Sequence, residues 1–241
     1  MHISLHPVLP ADAPLLGPIE SAAAVNNPAG PLMWPGLQST NSSKSPSELA
    51  ADKAAFDARA TAEIVEALSD PNIIYMKAVD EETGQIVGYS YWAVEPGRTE
   101  AQWAEKYANR WRPPTCNAAL MDALGGARTL KRAKILGSRT FYTLRELYVL
   151  PEYQRKGIGA MFVEVGLRKA DREGLVTYIE ATRFGLGLYL KYGFREVDRV
   201  EVDLEVYGGE SYRGIWDRWA LLLREGREVE GESKGGSESE V

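Results

Sequence analysis

With 241 residues, 44% of them hydrophobic and 26% charged, the chain has the composition of a globular protein of one large or two small domains, and no stretch approaches the ~20 apolar residues that span a bilayer. The net charge of −6 argues against a nucleic-acid surface, and the single cysteine, Cys116, excludes an intrachain disulfide or a cysteine zinc knuckle. His2 and His6 are the only histidines, which argues against a histidine-dependent triad and a multi-histidine metal site.

The N-terminus has no basic head followed by an apolar run, so it does not read as a secretory signal; the expectation is a cytoplasmic protein with no membrane partner. Ile3 to Val8 suits a first strand, and Asp12 suits the N-cap of a helix from Ala13. Residues Asn26 to Pro46 are rich in Pro, Gly, Ser and Asn and read as loop; the sequon Asn41-Ser42-Ser43 within them has no secretory route to serve it. The spacing of Leu49, Phe56, Ala60, Ile64 and Leu68 predicts a helix capped by Ser47. Ile73 to Val79 and Ile86 to Val94 predict an antiparallel hairpin closed by Asp80 to Gln85. Residues 96–138 read as a helical insertion, carrying Trp103, Tyr107, Trp111, Leu120, Met121, Leu124 and Leu130. Arg128, Lys131, Arg132, Lys134 and Arg139 cluster there, either as a solvated face or turned to a phosphate.

Thr140 to Val149 predicts a strand, followed by a turn and a helix to about Glu173 that buries Met161, Phe162, Val165 and Leu167 or Leu175. Val176 to Ala181 predicts a strand, Phe184 to Tyr192 a short helix ending at Gly193, and Phe194 to Leu204 and Ile215 to Arg224 the last two strands. Residues 225–241 are Gly, Ser and Glu rich and read as a disordered acidic tail, leaving 1–224 as one domain.

The turn between Val149 and the following helix carries Gln154, Arg155, Lys156, Gly157, Ile158, Gly159 and Ala160. Glycines lacking Cβ, two adjacent cations and a helix N-terminus suit a diphosphate. A dinucleotide fingerprint fails because Phe162 stands where its third glycine belongs, and a Walker turn fails for want of Gly-Lys-Ser/Thr.

The same segment resembles motif A (Gln/Arg-x-x-Gly-x-Gly/Ala) of the GNAT superfamily of acyl-CoA-dependent N-acyltransferases. Leu188-Tyr189-Leu190-Lys191-Tyr192-Gly193-Phe194 is similar to that family's LYxKxGF helix, and the element order agrees from Ile3 to Arg224. The resemblance implies an α/β (α+β mixed) fold with a splayed central sheet flanked by helices, and acetyl-CoA or another acyl-CoA as co-substrate, with no metal. It implies main-chain contacts to the pantetheine arm from Leu147, Val149 and Leu150, and pyrophosphate contacts from Gln154 to Ala160. It implies Tyr189 as general acid and Glu180 as water-linked base. Glu146 is the rival base; strand alternation puts it opposite Arg145 and Leu147 unless a bulge reverses the parity. Thr182 stands where many members have Asn. The insertion resembles that of fungal members and would overhang the acceptor; Trp34, Tyr91, Trp103 and Trp111 are candidate pocket residues, with core packing the alternative expected for most of them.

An acyl thioester is already activated, so transfer to an amine needs only a base for an ammonium of pKa near 10.4 and an acid for a departing thiolate. The expected activity is therefore transfer of an acetyl group to a small-molecule or amino-acid-like amine by direct transfer in a ternary complex, by a monomer or homodimer. The alternatives are a protein or peptide N-acetyltransferase and a non-catalytic acyl-CoA sensor or structural module.

Overall fold

A computed structural model describes residues 2–24, 26–34, 45–109 and 116–226. The Asn41 sequon, Trp111 and residues 227–241 of the tail lie outside them.

Among the described residues seven strands form one sheet: β1 (Ile3–Pro7), β2 (Ile73–Asp80), β3 (Gln85–Glu95), β4 (Phe141–Val149), β5 (Val176–Thr182), β6 (Arg195–Asp203) and β7 (Trp216–Arg224). Their spatial order is β1-β2-β3-β4-β5-β7-β6, antiparallel throughout except for the β4–β5 pair. The helices are α1 (Ala13–Ala23), α2 (Gly30–Met33), α3 (Pro46–Ala67), α4 (Glu100–Ala108), α5 (Ala118–Met121), α6 (Ala127–Leu136), α7 (Ile158–Arg172), α8 (Arg183–Lys191) and α9 (Glu205–Gly208). None among the described residues is long and apolar enough to cross a membrane.

Alternation along the strands sends side chains to two layers. On one face Trp92, Tyr142, Leu144 and Ile179 pack against Val163 and Leu167 of α7 and Tyr189 of α8. On the other, Tyr75, Tyr89, Tyr91 and Tyr148 pack against Leu16 and Ile19 of α1 and Ile64 of α3. Beside them Phe141, Tyr178, Leu221 and Leu223 pack against Trp103 of α4 and Leu136 of α6. The inserted segment thus supplies α4, α5, a π-turn at Asp122–Gly126 and α6, of which α4 and α6 pack on the sheet through Trp103 and Leu136.

Three local expectations are corrected. Ser45, not Ser47, caps α3: the Glu48 N–H donates to Ser45 Oγ (3.3 Å), the Ser45 N–H donates to Glu48 Oε2 (2.7 Å), and Pro46 takes the first helical position, where its missing N–H costs nothing. Asp12 holds the N-cap position of α1, but its side chain makes no capping bond there. Its carboxylate accepts from the Leu9 N–H (2.7 Å) and from Lys77 Nζ (2.6 Å), closing the 3-10 turn before the helix. The buried stripe of α7 is Ile158, Phe162, Val163, Gly166, Leu167 and Ala170, because the helix seats on the Trp92 indole: a Cβ at Gly166 would lie 2.2 Å from that ring.

Candidate active site

The site is made by an interruption in the sheet. β4 pairs with β5 only from Phe141 to Leu144, opposite Val176 to Ile179, and beyond Leu144 it pairs with β3 alone. At that point the β3–β4 register slips, from Trp92↔Leu144 to Tyr91↔Glu146, leaving Arg145 as the extra residue of a bulge. The Leu150 N–H donates to Val87 O (2.9 Å), and antiparallel bonding alternates along a strand, so the main-chain groups of Leu147 and Val149 turn away from β3 into the opening beside β5. Leu150 is bonded within the fold, its N–H to the Val87 carbonyl and its carbonyl to the Tyr153 N–H (2.9 Å). The Val149 carbonyl is also taken, by Gln154 Nε2 at 2.9 Å, so the Gln154 side chain braces the turn.

The turn then alternates in handedness. Arg155 (φ 61°) is the only non-glycine residue with positive φ among the described residues, and Gly157 (φ 89°) caps α7. Such alternation tilts successive amides into one concavity, and Ile158, Gly159 and Ala160 begin α7 with N–H groups that have no carbonyl one turn earlier to bond. Ile158 anchors the helix start through its buried side chain, whereas Arg155 and Lys156 are exposed, with the Lys156 ammonium 5.0 Å from the Tyr153 ring centre. Gly159 lies where three elements meet: a Cβ there would stand 3.1 Å from Leu188 of α8 and 3.8 Å from Leu147 of β4. These features suit a diphosphate on the α7 N-terminus and an extended arm along Leu147.

Tyr189 is buried against Phe194, and burial pushes its hydroxyl well above the usual tyrosine range. Its ring folds back along α8 over Gly185, where a Cβ would come within 2.7 Å of the ring and 3.3 Å of the hydroxyl oxygen. Gly185 is thus required for that orientation. The Gly-x-x-x-Tyr spacing was the available sequence signal.

The two candidate bases have opposite surroundings. Burial would raise the Glu180 carboxyl, but Arg132 and Arg128 outweigh it and hold the group below the usual range. Arg132 Nε donates to Glu180 Oε1 (3.0 Å), Arg128 Nε lies 3.3 Å from Oε2, and the Tyr178 hydroxyl donates to Oε1 (3.3 Å). Glu146, by contrast, is pushed up to about 7, first by burial, then by repulsion from Glu20, with a Tyr89 hydrogen bond and Arg145 opposing. Around it stand Tyr75 stacked on Tyr91 (4.4 Å), Tyr89 against Tyr148 (5.5 Å), and Glu20 of α1, which accepts from the Tyr148 hydroxyl at 3.3 Å. Simple alternation fails at Glu146. The bulge puts it on the same face as Arg145 and opposite Leu147. Glu20, Tyr89 and Tyr148 were missed in sequence, although the i, i+2 repeats Tyr89/Tyr91 and Glu146/Tyr148 mark one strand face each.

The basic cluster of the insertion is largely paired: Lys131 to Asp198 (2.6 Å), Arg128 and Arg132 to Glu180, and Arg139 to the Ile135 carbonyl (3.0 Å). Trp103 is core, its indole N–H donating to Gly137 O (3.1 Å), and Trp34 packs edge-on to Phe56 (5.6 Å). Of the expected aromatic lining, Tyr91 stands beside Glu146.

Residues 120–196 match the family described as Acetyltransferase (GNAT) domain, a span running from the insertion through β4, α7, β5 and α8. The fold is that of arylalkylamine N-acetyltransferase 2 from Aedes aegypti (15% identity, 93% of this chain and 99% of that one, TM-score 0.58). A mosquito arylalkylamine N-acetyltransferase like 5b is similar (12%, 93% and 100%, 0.56), as is a histone acetyltransferase HPA2 and related acetyltransferase from Corynebacterium glutamicum (16%, 96% and 100%, 0.55). No curated protein matches the chain in sequence. The class so defined is an acyltransferase built on a splayed mixed sheet. Residues 120–196 thus carry the likeness to the GNAT acetyltransferase domain, and the rest of the chain shares the fold of these acetyltransferases.

Proposed function

We propose that the protein transfers an acetyl group from acetyl-CoA to the amine of a small or amino-acid-like acceptor, directly within a ternary complex, with Glu146 as base and Tyr189 as acid. The observation that carries this reading is Glu146, a carboxyl pushed up to about 7 by burial beside a layer of tyrosines, close to the break in the sheet. Acetyl-CoA would supply an activated thioester, held by the amides of Arg155 to Ala160, the open main chain of Leu147 and the Val149 N–H.

Glu146 takes the ammonium proton first, leaving a neutral amine whose lone pair attacks the thioester carbonyl, and its pKa near operating pH makes it both unprotonated often enough and basic enough. Tyr189, kept protonated by burial, returns a proton to the departing sulfur. Glu180 is a weaker candidate: a carboxylate held ionised by two guanidiniums has little affinity for a proton. Its role is to hold α6 against β5.

Release of free thiol from acetyl-CoA, measured across a panel of primary amines, tests the reading. If CoA binds and no amine yields thiol, the protein is an acyl-CoA-binding module and this reading fails.

A further inference from the structure

The acceptor-side face carries an uneven distribution of charge. Glu95, at the end of β3, has a side chain only 6% exposed, and three cations converge on it: Arg98 Nη2 at 2.7 Å, Lys106 Nζ at 3.3 Å, and Arg145 from the bulge. Arg98 and Lys106 also lie over the Trp103 ring (5.0 and 5.8 Å), and Arg145 lies over Tyr91 (5.7 Å). Arg132, with Arg128 beside it on Glu180, is close enough to repel both Arg98 and Lys106. Five cations (Arg98, Lys106, Arg128, Arg132, Arg145) therefore face two carboxylates (Glu95, Glu180) on the insertion wall. Two Arg128 nitrogens, Nε and Nη1, are buried without a hydrogen-bond partner, although Nε keeps its ion-pair distance to Glu180.

The opposite wall has the reverse sign. Glu20 and Glu146 lie near each other among tyrosines, and the two groups of charges are neighbours, since Arg145 acts on Glu146 and Arg128 on Tyr148. The bulge makes this juxtaposition possible: consecutive strand residues ordinarily point to opposite faces, whereas Arg145 and Glu146 share one. Lys106 and Arg145 keep about a third of their side-chain surface exposed (35% and 37%), so the cations are accessible. Like charges held this close without enough counter-charge repel, and an anion entering among them relieves that repulsion.

We infer that Arg98, Lys106 and Arg145 form a carboxylate-binding subsite, so that the acceptor is an amine bearing a carboxylate near its amino group, the ammonium facing Glu146 and the carboxylate facing the three cations. This rests on the acyl-transfer reading above and narrows it: an arylalkylamine fills only half of such a site.

The test uses the full chain with acetyl-CoA and matched pairs of amino acids and their decarboxylated amines, followed by product mass spectrometry. The carboxylated partner is expected to have the higher kcat/KM, by roughly 10- to 100-fold, the size of a charge-assisted contact. In Lys106→Met and Arg98→Gln that ratio collapses because the carboxylated partner loses most. Thiol release that favours the decarboxylated partner overturns the subsite and leaves acyl transfer standing; no thiol from either series sinks the transfer reading instead. A readout without turnover decides the subsite in that event. The Lys106 amine, held down to about 8 by burial and then by Arg98 and Arg132, is followed by NMR after 13C-methylation and assigned with Lys106→Arg. Inorganic phosphate, as a simple anion, should shift its titration upward; an unmoved titration in tens of millimolar phosphate overturns the proposal.

Discussion

Glu146 and Glu20 come from elements more than a hundred residues apart, yet they repel each other across a cage of tyrosines and each is raised by burial, Glu146 to about 7. Removing the Glu20 charge should therefore lower the Glu146 pKa. In Glu20→Gln the acid limb of kcat/KM against pH is expected to move to lower pH. A limb that stays in place would mean that another group sets it.

Glu146→Gln should cost about 10²- to 10⁴-fold in kcat, the range for a general base, at little change in CoA affinity. A carboxyl raised on folding stabilises the fold below its unfolded pKa near 4.5, and that contribution is lost as pH climbs through about 7. The Gln variant has no such loss, so its Tm should exceed that of the parent at pH 8 and approach it at pH 5. Thermal melts at the two pH values, beside steady-state rates, check both halves.

For Glu180 the expectation is structural. Its lowered pKa means that the stability it contributes is present above its unfolded value of about 4.5 and fades as pH falls through the folded value below that. Glu180→Gln strands two guanidiniums and should cost about 3–5 kcal/mol in denaturant unfolding. The pH limb of activity should stay where it was; displacement of that limb would give Glu180 the base role.

Tyr189→Phe should lower kcat by about 100-fold while leaving the Kd for CoA unchanged. Gly185→Ala should do much the same, because its Cβ would press the ring at 2.7 Å and swing the hydroxyl away. Full activity in both variants would reduce Tyr189 to core packing.

Gly159→Glu introduces a side chain where even a Cβ would stand 3.1 Å from Leu188, and adds a negative charge beside the proposed pyrophosphate site. Calorimetric CoA affinity is expected to fall by 100-fold or more, and affinity within threefold of the parent would show the diphosphate lies elsewhere. Gly157→Ala is a milder control: the Cβ has room, and only the backbone at φ 89° is strained, by roughly 1–2 kcal/mol.

Much of this molecule was legible in its sequence because local rules govern it. The β2–β3 hairpin, the glycine turn into α7 and the Tyr189 helix follow from alternation, from Gly157 at positive φ and from 3.6-residue spacing, all decided within a few residues. The motif residues Gln154 to Gly159 and Tyr189 to Phe194 carried the family resemblance, and both lie within the matched span 120–196. Tertiary structure decided the rest. One bulged residue, Arg145, reverses the parity of the strand after it, and no local signal fixes where an antiparallel ladder slips. The two carboxylates proposed as bases are alike as sequence. Glu180 meets Arg128 and Arg132 from a helix some fifty residues upstream, while Glu146 meets Glu20 and a layer of tyrosines, and charge interactions depend on distances that only the packed chain sets.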